Sequence, residues 1–132
     1  MMKCRGIRGA TTAQANTEEA IIAATVELLE AMIEANGLEE EDIASAIFTT
    51  TPDLNTAYPA SASRKVGWWQ TAVIGCQEID KPGGMARAIR VLLHWNTVKP
   101  KDEIVHIYLR GAEKLRPDLQ KHNKTHLNGS EA

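Results

Sequence analysis

Between Ala88 and Trp95 the chain reads Ala-Ile-Arg-Val-Leu-Leu-His-Trp, a single arginine set inside an apolar run. A strand sends successive side chains to opposite faces. Ile89, Val91, Leu93 and Trp95 would then share one face, and Arg90 would share the other with Leu92 and His94. A guanidinium cannot lose its charge and is not buried without an anionic partner. Two partners remain open. One is a structural ion pair with Glu78, which precedes the turn Asp80-Lys81-Pro82-Gly83-Gly84, or with another acid. The other is a carboxylate or another oxygen on a small bound molecule.

The rest of the chain supplies a sheet for this strand. Residues 3–12 predict a first strand with Cys4, Gly6, Arg8, Ala10 and Thr12 on one face. Arg8 then stands among small side chains, which leaves space above the sheet. Gly6 and Gly9 weaken a strand unless something approaches closely. Asn16 or Thr17 caps a long helix, with Glu18 and Glu19 in its first turn. Ile21, Ile22, Val26, Leu28, Leu29, Met32 and Ile33 predict its buried face, and Gly37 its end. The acids at 39–42 read as a solvated loop or the start of the next helix. Ile43 to Thr50 predict a second strand, followed by a turn at Pro52-Asp53. Pro59 opens a short helix that runs to Lys65 and stops near Gly67, with Tyr58 and Arg64 bracketing it. Thr71 to Ile79 predict a third strand, Ala88 to Trp95 a fourth, and Ile104 to Leu109 a fifth with Ile104, His106 and Tyr108 on one face. His106 there reads as a satisfied sheet histidine rather than a base.

This order, strand, helix, strand, short helix and three strands, predicts an α+β fold: a mixed sheet packed with one long and one short helix. Residues 1–119 form one domain and residues 120–132 a flexible tail. The apolar fraction of 43% suffices for one ordinary core. A sheet covered by one main helix leaves apolar surface, and Trp68, Trp69 and Trp95 add to it. Self-association with sites between subunits follows as an expectation.

Charge and cysteines exclude several classes. The formal net charge of −2 gives no basic footprint for nucleic acid and no polybasic membrane patch. No apolar run approaches a membrane span, and MMKCRGIRG lacks the apolar stretch of a signal peptide. Cys4 and Cys76 have no metal-ligand spacing, so a reduced cytoplasmic protein is expected. His122 and His126 lie four apart, but no third ligand is nearby and no metal site is expected.

The segments RGIRGATT at 5–12, TEEAI at 17–21, TPDLN with YPA at 51–60, QEID at 77–80, IRVLLHWNT at 89–97 and IYL with LRPDL at 107–119 resemble the small trimeric, AroH-class chorismate mutases. The resemblance runs in order through nearly all of residues 4–119. It implies a homotrimeric pseudo α/β-barrel with active sites between subunits. It also implies the Claisen rearrangement of chorismate to prephenate in aromatic amino acid biosynthesis, without cofactor or metal. Arg8, Glu78, Arg90 and Tyr108 match the family's catalytic residues from one subunit. Tyr58 and Arg64 match positions contributed by a neighbour. Ala60, Val73, Ile74, Gly75, Cys76, Gln77 and Leu115 match substrate-binding positions, and Arg116 a mobile C-terminal segment that closes over substrate. Gly75 stands where some members have a substrate-contacting cysteine, with Cys76 one position on, and Ser61 where some have lysine. These departures bear on the hydroxyl contact and the affinity for a dianion, not on the reaction class.

The residue inventory suits that chemistry. A pericyclic step on a dianion needs a held conformer and positive charge at the breaking ether bond, with no nucleophile or proton transfer. Arg90 is the candidate at the ether oxygen, Arg8 and Tyr108 at a carboxylate, and Glu78 at the ring hydroxyl. Two rivals are a trimeric imine deaminase-like enzyme, told apart by ammonia release, and a non-catalytic small-carboxylate binding module, told apart by binding without turnover.

Overall fold

Thr17 starts the long helix as expected: its backbone is extended and its hydroxyl accepts the N–H of Ala20 at 3.1 Å. Gly37 ends it in the left-handed conformation, with φ 66°. The structure, a computed structural model, describes residues 1–118. Its elements are β1 (Lys3–Thr12), α1 (Glu18–Asn36), β2 (Ile43–Thr50), α2 (Ala62–Lys65), β3 (Ala72–Gln77), β4 (Ala88–Thr97) and β5 (Ile107–Tyr108). Short 3₁₀ turns at Glu40–Asp42, Pro59–Ser61, Lys101–Glu103 and Ala112–Leu115 link them. Among the described residues no helix is long and apolar enough to cross a membrane.

The five strands form one mixed sheet in the order β3-β2-β4-β1-β5. β4 runs antiparallel to both β1 and β2, while β3 and β5 join the edges in parallel. The alternation read in β4 holds: Ile89, Val91, Leu93 and Trp95 are buried, and Arg90, Leu92 and His94 face the other way. Helix α1 covers the buried face, where Leu28, Leu29 and Met32 join Ile7, Phe48, Val91 and Leu93 in the main core. Gly9 makes this approach possible. A β-carbon there would lie 2.4 Å from Met32 Sδ and 3.2 Å from a Leu28 methyl.

That close approach also moves the helix seam. The buried side chains are Ile21, Ala24, Thr25, Leu28, Leu29, Met32 and Asn36, whereas Ile22, Val26 and Ile33 lie at the margin, partly buried. The expected face was therefore centred slightly off the real one, because small and polar residues are admitted where the sheet is closest. The short helix is likewise tighter than expected, a 3₁₀ turn from Pro59 leading into α2.

Two further expectations are corrected. Glu40 is not merely solvated: its carboxylate accepts the backbone N–H groups of Gln70 and Thr71 at 2.7 and 2.9 Å and the Thr71 hydroxyl at 2.9 Å. These bonds, the Gln70 N–H foremost, hold its pKa below the usual glutamate range. They also keep Thr71 out of the strand, which begins at Ala72. The fifth strand is two residues long, not six. Val105 exchanges both backbone hydrogen bonds with the side chain of Asn36, and the imidazole Nδ1 of His106 takes the N–H of Arg8 at 2.9 Å. Only Ile107 and Tyr108 are left to pair with β1. Ile104 packs into the main core, while Tyr108 joins Ala10 and Ala112, so the two do not share a face.

Candidate active site

In-register partners on a pleated sheet share a face. Tyr108 pairs with Ala10, Ala10 with Arg90, Arg90 with Thr49, and Thr49 with Cys76. One row of side chains thus crosses all five strands on the face away from α1. The next row holds Arg8, Leu92, Ile47 and Ile74. Arg90 sits at the centre of the first row because β4 is the middle strand. Its burial is partial, as expected for an arginine beside an apolar stripe.

Glu78 lies just beyond β3, tied to β2 by its N–H to the Thr50 carbonyl at 2.8 Å. Its carboxylate turns back over the sheet. Oε2 accepts the Thr49 hydroxyl and stands 4.0 Å from Arg90 Nε. Arg90 and Glu78 line an open groove of about 780 Å³ together with Asp53, Lys81, Met85 and Leu115. Asp53 braces the rim. It accepts the Thr51 hydroxyl at 2.5 Å and the N–H of Arg87 at 2.8 Å, and these bonds, Thr51 first, hold its pKa below the usual aspartate range. Arg87 has φ 50°, so this bracing fixes a backbone bend that a non-glycine residue rarely adopts.

Arg8 projects from β1, exposed, one row from Arg90. Tyr108 is buried against Ala10 and Ala112, with Met85 and Leu115 packed on it. The turn Ala112–Leu115 therefore lays Leu115 into the Arg90 groove. Arg116 follows, forked onto Asp118 at 3.0 and 3.1 Å. That hydrogen bonding, with a smaller contribution from nearby Tyr108, raises its already high pKa.

Some of the remaining expected residues gather around a second groove. Tyr58, Gly75, Cys76 and Gln77 line another groove, of about 610 Å³, with Ser61 and Lys65. Tyr58 is 82% exposed, so among the described residues nothing holds the ring down. Ala60 lies in the 3₁₀ turn, and Arg64 of α2 rests over the ring of Trp69 at 5.8 Å. Val73 and Ile74 are exposed on β3. By register Cys76, not Gly75, shares the face of Arg90. One chain thus gathers Arg90, Glu78 and Leu115 in one groove, beside Arg8, Tyr108 and Arg116. It leaves Tyr58, Ala60 and Arg64 at a different surface, while β3 at the sheet edge borders both, with Ile74 and Cys76 on the Arg90 face and Gly75, Cys76 and Gln77 lining the Tyr58 groove.

Thr49 and Asp53 were missed from sequence. Thr49 was findable in principle, since alternation along β2 puts Ser45, Ile47 and Thr49 on one face. Its hold on Glu78 depends on a strand pairing that periodicity does not reveal. Leu119, His122, His126 and the rest of the tail lie outside the described residues. Among the described residues no three His, Cys, Asp or Glu side chains group as metal ligands.

Comparison with known proteins gives a consistent result. Residues 4–119 match the family described as chorismate mutase type I. The chain is 50% identical to the chorismate mutase AroH of Thermus thermophilus over 117 residues, covering 88% of this chain and 96% of the relative. It is 43% identical to the chorismate mutase AroH of Bacillus subtilis (strain 168) over 127 residues, covering 96% and 100%. A solved structure of a chorismate mutase from Clostridium thermocellum superposes with a TM-score of 0.82 at 52% identity, covering 83% of this chain and 98% of that one.

Proposed function

This chain belongs to the chorismate mutase type I family, and from that premise we propose how its site is assembled and how it works. The enzyme is an isomerase, a chorismate mutase of aromatic amino acid biosynthesis. In our reading the single domain of residues 1–119 assembles as a homotrimer, a pseudo α/β-barrel, with each site shared by two subunits. The open sheet face supports this. Leu92, Ile47 and Ile74 lie side by side there, with Ile74 60% exposed, and an apolar sheet face needs a covering layer. The separation of the two residue patches supports it as well. Arg90, Glu78, Arg8, Tyr108, Leu115 and Arg116 come from one subunit, and Tyr58 and Arg64 from its neighbour. The working compartment is the cytoplasm, where the exposed thiols of Cys4 and Cys76 stay reduced.

Chorismate carries two carboxylates and rearranges within itself. The site has only to select the chair-like conformer and stabilise the charge that grows on the ether oxygen as its bond to the ring breaks. Arg90 donates to that oxygen. Arg8 and Tyr108 hold the side-chain carboxylate, and Arg64 from the neighbour adds positive charge. Glu78 accepts from the ring hydroxyl and, through Thr49, keeps a fixed position beside Arg90. Tyr58, Ala60 and the strand from Val73 to Gln77 wall the cavity, and Leu115 and Arg116 close it.

The observation that carries this mechanism is the position of Arg90: central on the open face, lining a groove, with one carboxylate 4.0 Å away that is itself restrained. The test is the loss of chorismate absorbance with purified protein. Native protein is expected to turn over and Arg90→Ala to be nearly inactive while still folded. Normal turnover by Arg90→Ala would refute the assignment.

A further inference from the structure

The turn leading from β5 into the C-terminal segment is held by groups that the reaction does not use. Arg110 and Gly111 are successive left-handed residues, with φ 50° and 89°. Glycine adopts this conformation freely, whereas arginine is strained in it. Arg110 is gripped on both sides. Its guanidinium forks onto Glu27 of α1, Nε to Oε1 at 2.7 Å and Nη2 to Oε2 at 2.8 Å. Its carbonyl accepts the Thr12 hydroxyl at 2.7 Å. A two-pronged arginine–carboxylate pair fixes direction as well as distance. The Arg110 hydrogen bond also holds the Glu27 carboxyl below its usual range.

The grip sits between the parts of the site that it can aim. Tyr108 lies two residues before Arg110. Ala112, two residues after it, is fully buried against Tyr108 and Ala10, and the turn then delivers Leu115 into the Arg90 groove. Were the pair only surface decoration, glycine at 110 would serve the backbone better. We propose that the Glu27–Arg110 fork anchors the Ala112–Arg116 segment over the groove and so governs substrate capture without touching substrate. This rests on the reading that Leu115 and Arg116 close over chorismate. Glu27 and Arg110 are then positioning residues.

The test measures KM, kcat and Tm on the full chain. Glu27→Gln and Arg110→Gly are each expected to raise KM by about two- to fivefold with kcat changed by less than about twofold. Arg110→Gly relieves the backbone strain, so its KM should rise without a fall in Tm, which a merely structural pair would not produce. The charge-reversed pair Glu27→Arg with Arg110→Glu should bring KM back toward the native value. Arg116→Ala serves as the reference. Unchanged KM in both single variants, or no recovery in the reversed pair, while Arg116→Ala raises KM, overturns the anchor alone. Unchanged KM in Arg116→Ala as well overturns the capture reading and the anchor with it.

Discussion

Arg90 and Glu78 face each other with Nε 4.0 Å from Oε2, and Thr49 donates its hydroxyl to the same carboxylate oxygen. The two side chains are 39% and 26% exposed, and ion pairs at such exposure add little stability. The carboxylate is thus held chiefly by Thr49, and among the described residues the guanidinium keeps donors free for a ligand. The structural and the ligand-binding readings of Arg90 are compatible.

Replacing Arg90 with citrulline separates charge from shape. The fork and most hydrogen bonds remain, but the positive charge does not. By analogy with a lost oxyanion-hole donor, kcat is expected to fall by at least ~10²–10³, roughly 3–4 kcal/mol. Chorismate affinity should weaken far less, because in the proposed site Arg8 and Arg64 still meet the carboxylates. Arg90→Lys, charged but without the planar fork, should fall between. Kinetics, ligand affinity and Tm on one preparation decide the matter, and a near-normal kcat for citrulline would refute the catalytic role.

A shared site can be rebuilt from two damaged chains. Arg90→Ala and Arg64→Ala, each nearly inactive alone, should regain part of the native activity after subunit exchange, because some mixed interfaces carry both arginines. Exchange demonstrated by mass or fluorescence without recovered turnover counts against sites formed between subunits.

Asn36 is buried, and its amide both donates to and accepts from the backbone of Val105, at 2.9 Å each way, while also donating to the Met32 carbonyl. Asn36→Ala would leave the partly buried Val105 N–H and carbonyl without these partners, at roughly 1–3 kcal/mol for each group left unsatisfied. Tm should drop by several degrees. Because Val105 leads into Tyr108, KM for chorismate should rise as well. An unchanged Tm would show that water replaces the amide without cost.

Asp53 gives a pH signature with a defined sign. The Thr51 hydroxyl and the Arg87 N–H lower its native pKa beneath the ordinary aspartate value of 3.8. Its contribution to stability is therefore complete above that value and is lost as the pH falls from it through the lower native value. Asp53→Asn should be less stable than the native chain at neutral pH, and the two Tm curves should converge in acid. Parallel curves from neutral pH down to acid would contradict the assignment.

Much of this arrangement is written locally. The alternation around Arg90 determines which face of β4 is buried, since a strand has period two. Thr17 and Gly37 mark the ends of α1 because the first can cap an N–H and the second accepts a left-handed backbone. Pro59 begins the short helical stretch because its ring already holds a helical φ. Arg90 and Arg8 could be singled out because charged side chains amid apolar or small neighbours call for a partner, and Glu78 as an acid shortly before the Gly-rich turn that could supply one to Arg90.

What only the tertiary structure decided is which local pieces meet. Periodicity says that Ile104 to Leu109 suits a strand. Asn36, reaching from the other side of the sequence, takes the Val105 backbone, and His106 takes the Arg8 N–H, so two residues remain to pair. The α1 seam shifted because Gly9 lets Met32 and Leu28 come closer to the sheet than any side-chain count foretells. Thr49 became part of the site through its place opposite Arg90, and Cys76 rather than Gly75 came to Arg90's face through strand register. The left-handed Arg110 and its fork onto Glu27, 83 residues away, leave no mark in either segment alone. Side-chain period is a property of one element, whereas strand order, register and close approach are set by how elements compete for the same core and the same hydrogen bonds.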